Sequence, residues 1–359
     1  MTNTFDVQAP ADSLEKRHKR RTGFPLRLHD QGGVLIALGA VLVFLCLTQP
    51  AFRTWSNVVN IVGSNSVALI LALGATFVII SGGIDLSTAA VAAAAGMVFG
   101  LALQAGWPLV ASMLAALTAG GVFGLANGLL IARARLSFLV VTLGMASIAT
   151  SFALIVGDGT TVNVFAIEQF SPVRTFATGT VGGVSIVIVF DLLMIGACAF
   201  VLKYTRFGRS VFAIGSNSEA ARMNGINVPR TTVYVYLLAG AAAGIASLIQ
   251  VGRLTGAAPQ IDVSLLNGVL AAVLIGGTSF SGGRGSIGGT ALGVLFLGVV
   301  QNAMTLTDVS TFWRQAVNGA LLIMAVWLGL LQSNGMSVRS VFDRYTRNRA
   351  VSNKQEEIG

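Results

Sequence analysis

A chain of 359 residues could hold two or three soluble domains, but only 10% of its residues are charged, against about 25% in a typical soluble domain, which excludes that organisation. Hydrophobic residues reach 54%, 43 residues are glycine, and mean hydropathy is +0.78. The net charge of +9 would suggest nucleic acid in a soluble protein; here Lys and Arg retained in cytoplasmic loops account for it. The sequence predicts an all-α, polytopic transmembrane helical bundle.

In chain order, a basic tail, 1–30, leads to an uncharged run, 31–52, long enough for a first span near 33–49, since a crossing helix needs about 20 apolar residues. A second span falls within 57–81, followed by Ser81-Gly82-Gly83-Ile84-Asp85-Leu86-Ser87. Spans three and four fill 88–104 and 109–131, separated by Ala105-Gly106-Trp107-Pro108. The turn at Arg133-Ala134-Arg135 precedes span five, 137–157, and an outer loop of about 158–182 precedes span six, 183–202. A long internal loop, 203–230, separates it from spans seven to ten near 231–252, 264–280, 286–306 and 313–332, and a basic tail, 336–359, closes the chain. About ten spans put both termini on one side. That side would carry nineteen of the 23 Lys and Arg and the other only Arg53, Arg174, Arg253 and Arg314, so the termini are expected in the cytoplasm. About thirty polar residues before the first run argue against a cleaved signal peptide.

The patches Val91-Ala92-Ala93-Ala94-Ala95-Gly96 and Leu238-Ala239-Gly240-Ala241-Ala242-Ala243-Gly244 predict close helix packing, because small residues let backbones approach in lipid. Ser81-Gly82-Gly83 recurs as Ser281-Gly282-Gly283, each after an inward-running span. The pair reads as two flexible helix connections, although paired interruptions also mark substrate pathways.

Chemistry-bearing motifs are scarce. Cys46 and Cys198 lie in spans and His18 and His29 precede them, which indicates neither a disulfide framework nor a metal site. No G-x-x-x-x-G-K-[ST] loop, H-E-x-x-H or G-x-S-x-G motif stands on a suitable element, so the chain is not expected to be an enzyme or to hold a cofactor. Asp191 is the only carboxylate well inside a span, without an intramembrane Lys, Arg or His partner, and reads as a packing position or as a proton or cation relay. Asp85 is expected to cap the helix starting at Leu86. Amides and hydroxyls in or near the spans suit a hydroxyl-rich solute: Asn65, Asn127, Thr142, Gln250, Asn267, Gln301, Asn302 and Asn318, with Asn65, Asn127, Thr142, Asn267 and Asn302 taken as the pathway candidates.

The internal loop is the most informative stretch. After Arg206-Phe207-Gly208-Arg209, Asn217 or Ser218 can cap a short helix, Glu219 sits at its positive end and Gly225 can stop it. This loop resembles the coupling region of bacterial ABC-importer permeases, whose E-A-A-x-x-x-G core matches Glu219-Ala220-Ala221 and Gly225. Within that superfamily, Gly83-Ile84-Asp85-Leu86-Ser87 and Gly276-Gly277-Thr278-Ser279-Phe280-Ser281-Gly282-Gly283 resemble the ribose/xylose-type sugar permeases, and the likeness covers about 40–335.

The resemblance implies a permease domain, 31–335, in the bacterial inner membrane and a dimer with a second copy or paralogue. It also implies two cytoplasmic ABC ATPase subunits, holding ATP and magnesium, and a periplasmic sugar-binding protein. Arg206, Gly208, Arg209, Glu219, Ala220, Ala221 and Gly225 would meet the ATPase; Gly83, Asp85 and Ser87 belong to the family motif. The expected function is therefore translocation of a monosaccharide or related polyol, powered by the partner. An ion-coupled secondary transporter and a branched-chain amino-acid permease are the alternatives; the scarcity of buried charge favours a neutral solute over both.

Overall fold

The computed structural model describes residues 32–260, 262–310 and 312–333; the two tails, and with them the sidedness of the termini, lie outside the described residues. Fourteen helices occupy most of this length: α1 (Gly32–Thr48), α2 (Trp55–Ser64), α3 (Ser66–Ile80), α4 (Thr88–Gln104), α5 (Leu109–Ala132), α6 (Phe138–Val156), α7 (Ser171–Thr178), α8 (Ile186–Tyr204), α9 (Arg206–Ser216), α10 (Ser218–Met223), α11 (Val228–Leu254), α12 (Val263–Ile275), α13 (Ile287–Leu306) and α14 (Phe312–Ser333). Helices stand at every place where a span was expected. By length and apolarity α5, α6, α8, α11 and α13 can each cross a membrane alone, α2 and α3 can do so as one bent pair, and α1, α4 and α12 are shorter apolar helices.

The bundle is organised around α3. Fourteen of its fifteen residues are buried, and it touches α11, α12, α13, α8 and α9. A helix apolar on all faces can only be placed inside such a bundle or in lipid. The most extensive helix pairing is α5 with α11, and it depends on missing side chains. A Cβ on Gly124 would stand 2.9 Å from Gly240 Cα, and one on Gly120 would stand 2.9 Å from Gly244 N. The small-residue patch of α4 packs similarly, with Gly96 against Val251.

Four two-residue strands complete the fold. β1 (Val162–Asn163) pairs antiparallel with β4 (Gly256–Ala257), tying the loop after α6 to the end of α11. β2 (Thr180–Val181) and β3 (Val184–Ser185) form a hairpin whose turn, Gly182-Gly183, has φ of 60° and 80°, values that glycine adopts without a Cβ penalty. Its tip is held to α2, since Trp55 Nε1 donates to the Gly183 carbonyl at 2.9 Å.

Three expected spans differ in the structure. The second is two helices meeting at 44° around Asn65. The sixth begins at Ile186, because 184–185 pair in the hairpin. The eighth ends at Ile275, where Gly276 packs on the Gly289 backbone and Gly277 turns at φ 87°.

Candidate functional site

At the α2–α3 break lies a cleft of about 250 Å³, lined by Ser64, Asn65, Gln250, Asp262, Ser264, Gln301, Arg314 and Asn318 among apolar neighbours. Drug-sized ligands occupy roughly 300–1,000 Å³, so this volume suits one small solute. Its polar groups hold one another. Asn318 Nδ2 donates to the Ser264 carbonyl at 3.2 Å, and Gln301 Nε2 approaches Asn318 Oδ1 at 3.4 Å. Asp262 accepts from Ser264 N at 2.8 Å, capping α12, while Arg314 Nη2 donates to Thr305 Oγ1 at 2.8 Å and its buried Nε has no partner among the described residues. Amides, a carboxylate and a guanidinium together present both acceptors and donors.

Of the five pathway candidates, only Asn65 lines this cleft. Asn127 is fully buried elsewhere, donating to Ser87 Oγ at 2.9 Å. Thr142 donates to its own helix at Phe138 O, 2.8 Å. Asn302 exchanges two bonds with Asn57, at 2.8 and 3.1 Å, and half-buried Asn267 is not among the lining residues. Gln250, Gln301 and Asn318 from the wider set do line it.

Two charged side chains contact the break without lining the cleft. Arg253, on α11, donates to the Gly63 carbonyl, and to Ser64 Oγ at 3.1 Å. Asp191, on α8, accepts from Ser66 Oγ at 2.7 Å. The sequence offered Asp191 no basic partner inside the spans, and among the described residues it forms no ion pair, but α8 and α11 bring it and Arg253 to opposite sides of one break.

At the far end of α3, fifteen residues or about 22 Å away, the two Ser-Gly-Gly segments meet. Gly283 N donates to the Ile80 carbonyl at 2.9 Å, and a Cβ on Gly282 would be 2.9 Å from Gly82 Cα. Gly215, near the end of α9, closes the cluster: its Cβ would lie 2.6 Å from Gly283 N. The segments are thus packed against each other, which reading them as separate flexible connections did not anticipate. Beyond them, Asp85 does not cap α4. The helix starts at Thr88, and the carboxylate instead accepts from Ser87 N at 2.8 Å and Ser87 Oγ at 2.6 Å. Ser87 also accepts from Asn127, so three buried polar residues share one hydroxyl, and Gly83 lies beneath the Tyr236 hydroxyl.

The loop 203–230 is helical through most of its length. Thr205 caps α9 through Gly208 N at 3.1 Å; Arg206 and Arg209 are exposed, and Gly208 is buried against the Val201–Leu202 backbone. Phe207 stacks on Phe77 of α3 with ring centroids 6.2 Å apart. In α10, Asn217 Oδ1 accepts from Ala220 N at 2.9 Å, exposed Glu219 pairs with Arg222 at 2.6 Å, Ala221 is buried and Met223 protrudes. Gly225 follows at φ 80°. Gly225 N to Arg222 O at 3.0 Å and Ile226 N to Ala221 O at 3.1 Å form a Schellman cap. The spacing of Ala221 and Gly225 is therefore that of one helix ending.

The family described as "Branched-chain amino acid transport system / permease component" matches residues 57–326. The chain is 32% identical over 329 residues to an L-arabinose ABC transporter permease protein of Azospirillum brasilense, covering 92% of each. It is 33% identical over 292 residues to the ribose import permease protein of Escherichia coli K12, covering 81% of this chain and 91% of that one. A D-allose transport system permease protein of the same strain is 32% identical over 320 residues, 89% of this chain and 97% of that one. No solved structure matches the chain.

Proposed function

Because the chain belongs to the permease-component family of binding-protein-dependent ABC importers, we propose that it is the translocation subunit through which a monosaccharide crosses the bacterial inner membrane. Its relatives named for ribose, L-arabinose and D-allose support the sugar class. The observation that carries this reading is the geometry of α3, which joins a polar cleft at one end to α9, the element preceding α10, at the other. A buried, densely packed helix transmits displacement rather than absorbing it, because interiors have low compressibility.

In this arrangement the cleft faces the periplasm and receives solute from a soluble binding protein. Exposed α10 docks into a groove of a cytoplasmic ATPase subunit, a helix-in-groove contact with Met223 as its apolar knob. ATP and magnesium reside on that partner, and a second permease completes the assembly. About ten spans, with both tails in the cytoplasm, fit the bias of Lys and Arg. Asp262 and the amides accept and donate to sugar hydroxyls, and Arg314 offers its buried Nε–H.

Reconstitution in liposomes tests the proposal. The chain alone should neither hydrolyse ATP nor accumulate sugar. With its ATPase and binding protein it should import at least one of labelled ribose, L-arabinose and D-allose, and unlabelled leucine should not compete. Import driven by an imposed proton gradient without those partners would overturn the reading.

A further inference from the structure

The break between α2 and α3 is contacted by Arg253 of α11, Asp191 of α8 and Gly298 of α13. Arg253 bridges the Gly63 carbonyl and Ser64 Oγ at the last turn of α2. Asp191 takes the hydroxyl of Ser66, the first residue of α3, at 2.7 Å. Between them Asn65 gives α3 no side-chain cap, since its amide donates back to Ile61 O at 2.7 Å and its side chain fills the space left by Gly298.

The signs of the two charges match what the helix ends present. A helix C-terminus carries partial negative charge and an N-terminus partial positive charge. The base stands at the first and the acid at the second, which is the arrangement that stabilises two helix ends meeting inside an apolar bundle. Asp191 and Arg253 do not form an ion pair; among the described residues the one ion pair is Glu219 with Arg222. Asp191 is only 2% exposed, and its Oδ2 has no hydrogen-bond partner among the described residues. Neither residue lines the cleft, whereas Ser64 and Asn65, which lie between them, both do.

We propose that Asp191 and Arg253 are positioning residues that hold the α2–α3 break open and so set Ser64 and Asn65 at the solute cleft. The proposal rests on the transport reading above. It assigns Asp191 to holding Ser66 through a hydrogen bond and not to a proton relay, so charge-free groups that keep the hydrogen bond should largely replace it.

The test uses the full complex in liposomes and whichever of ribose, L-arabinose and D-allose the wild type imports. Asp191→Ala and Arg253→Ala should lower import about tenfold and raise the half-saturating concentration of loaded binding protein, because the cleft is misplaced. Asp191→Asn should stay within about threefold of wild type, since it keeps an acceptor for Ser66. Arg253→Lys should rescue only in part, because it keeps the charge and loses the fork.

A second readout does not depend on the sugar. In a Cys46→Ala, Cys198→Ala background, Ser64→Cys is labelled with a polar thiol reagent; Asp191→Ala and Arg253→Ala should change its labelling rate and Asp191→Asn should not. If the alanine variants do not reach the membrane, Arg253→Gln and Ser66→Ala each disturb one side of the break and carry the same comparison. Unaltered half-saturation and labelling in Asp191→Ala and Arg253→Ala would overturn the proposal. So would an Asp191→Asn protein as inactive as Asp191→Ala, which would return Asp191 to proton transfer. If the wild type imports none of the three sugars, the transport reading fails, while labelling at Ser64 still decides whether the pair sets the break.

Discussion

Gly282 lies directly on Gly82: a Cβ added to Gly282 would stand 2.9 Å from Gly82 Cα and 3.0 Å from its amide nitrogen. The same Cβ would come within 3.0 Å of the Gly215 carbonyl. Three backbones therefore converge, one from the end of α3, one from the segment between α12 and α13, and one from α9. Two helix breaks and α9, the element leading into α10, close on one point. Gly215 near the end of α9 and Ile80 at the end of α3 meet the Gly283 backbone directly, with no side chain between them.

Gly282→Ala should therefore uncouple the transporter. Its φ of 80° disfavours any residue with a Cβ, and the methyl would meet backbone, which cannot rotate away. Import should fall about tenfold or more and stimulation of the ATPase by loaded binding protein should disappear, as an overpacking cost of about 1–3 kcal/mol at the junction implies. Gly288→Ala, six residues on with nothing within 4 Å of its Cβ, should behave as wild type. Paired measurements of uptake and ATP hydrolysis on both variants check this.

The α5–α11 seam gives a prediction about stability alone. Gly124→Ala places a methyl 2.9 Å from Gly240 Cα, and both helices must move apart along a shared face. A loss of about 1–3 kcal/mol should appear as a lower thermal midpoint in detergent. Gly144→Ala, on α6 with open space around it, should leave the midpoint unchanged or raise it slightly, since alanine is the better helix former.

The features that survived from sequence to structure are those fixed by local chemistry. Uncharged runs located the helices, small residues located the tightest pairing, and Asn217, Glu219 and Gly225 located α10 and both its ends. What sequence did not reveal depends on distant partners. The run 57–81 reads as one span, since the groups that bond to the two sides of its break, Asp191 and Arg253, lie more than a hundred residues away. Asp85 precedes a helix and so resembles a cap, yet its carboxylate accepts from Ser87 while Asn127 of α5 completes the cluster. Of the five amide and hydroxyl candidates Asn65 alone faces the cleft, because helices that are apolar on nearly all faces give no sign of which way a polar residue points.

Ser87 is the hub of that buried cluster. Ser87→Ala removes the donor to Asp85 at 2.6 Å and the acceptor for Asn127 at 2.9 Å, leaving both side chains buried with fewer partners. Asp85 keeps the backbone N–H of residue 87 at 2.8 Å, so the loss of the two side-chain bonds should cost about 1–3 kcal/mol and lower the thermal midpoint. Ser87→Thr retains the hydroxyl and should recover most of the loss if the added methyl is accommodated. A Ser87→Ala midpoint equal to wild type would mean that the cluster contributes nothing to stability.

Gly225 offers the cleanest separation of backbone from packing. At φ 80° it supplies the left-handed residue of the cap that ends α10, and nothing lies within 4 Å of a Cβ built there. Gly225→Val therefore meets no clash, and its whole effect is conformational, about 1–2 kcal/mol of resistance to the left-handed region. That is enough to favour loss of the bonds from Gly225 N to Arg222 O and from Ile226 N to Ala221 O, which frees the last turn of a six-residue helix. Membrane insertion should be unaffected, because no span is touched, while import and ATPase stimulation fall together. Gly225→Asn should be milder, since asparagine tolerates this region better than other residues with a Cβ. Glu219→Ala should be milder still, because its ion pair with Arg222 is largely exposed to solvent. The ranking Val, then Asn, then Glu219→Ala follows only if α10 acts as a formed helix against the ATPase. Equal, wild-type import in all three proteins would show that 203–230 serves as a linker.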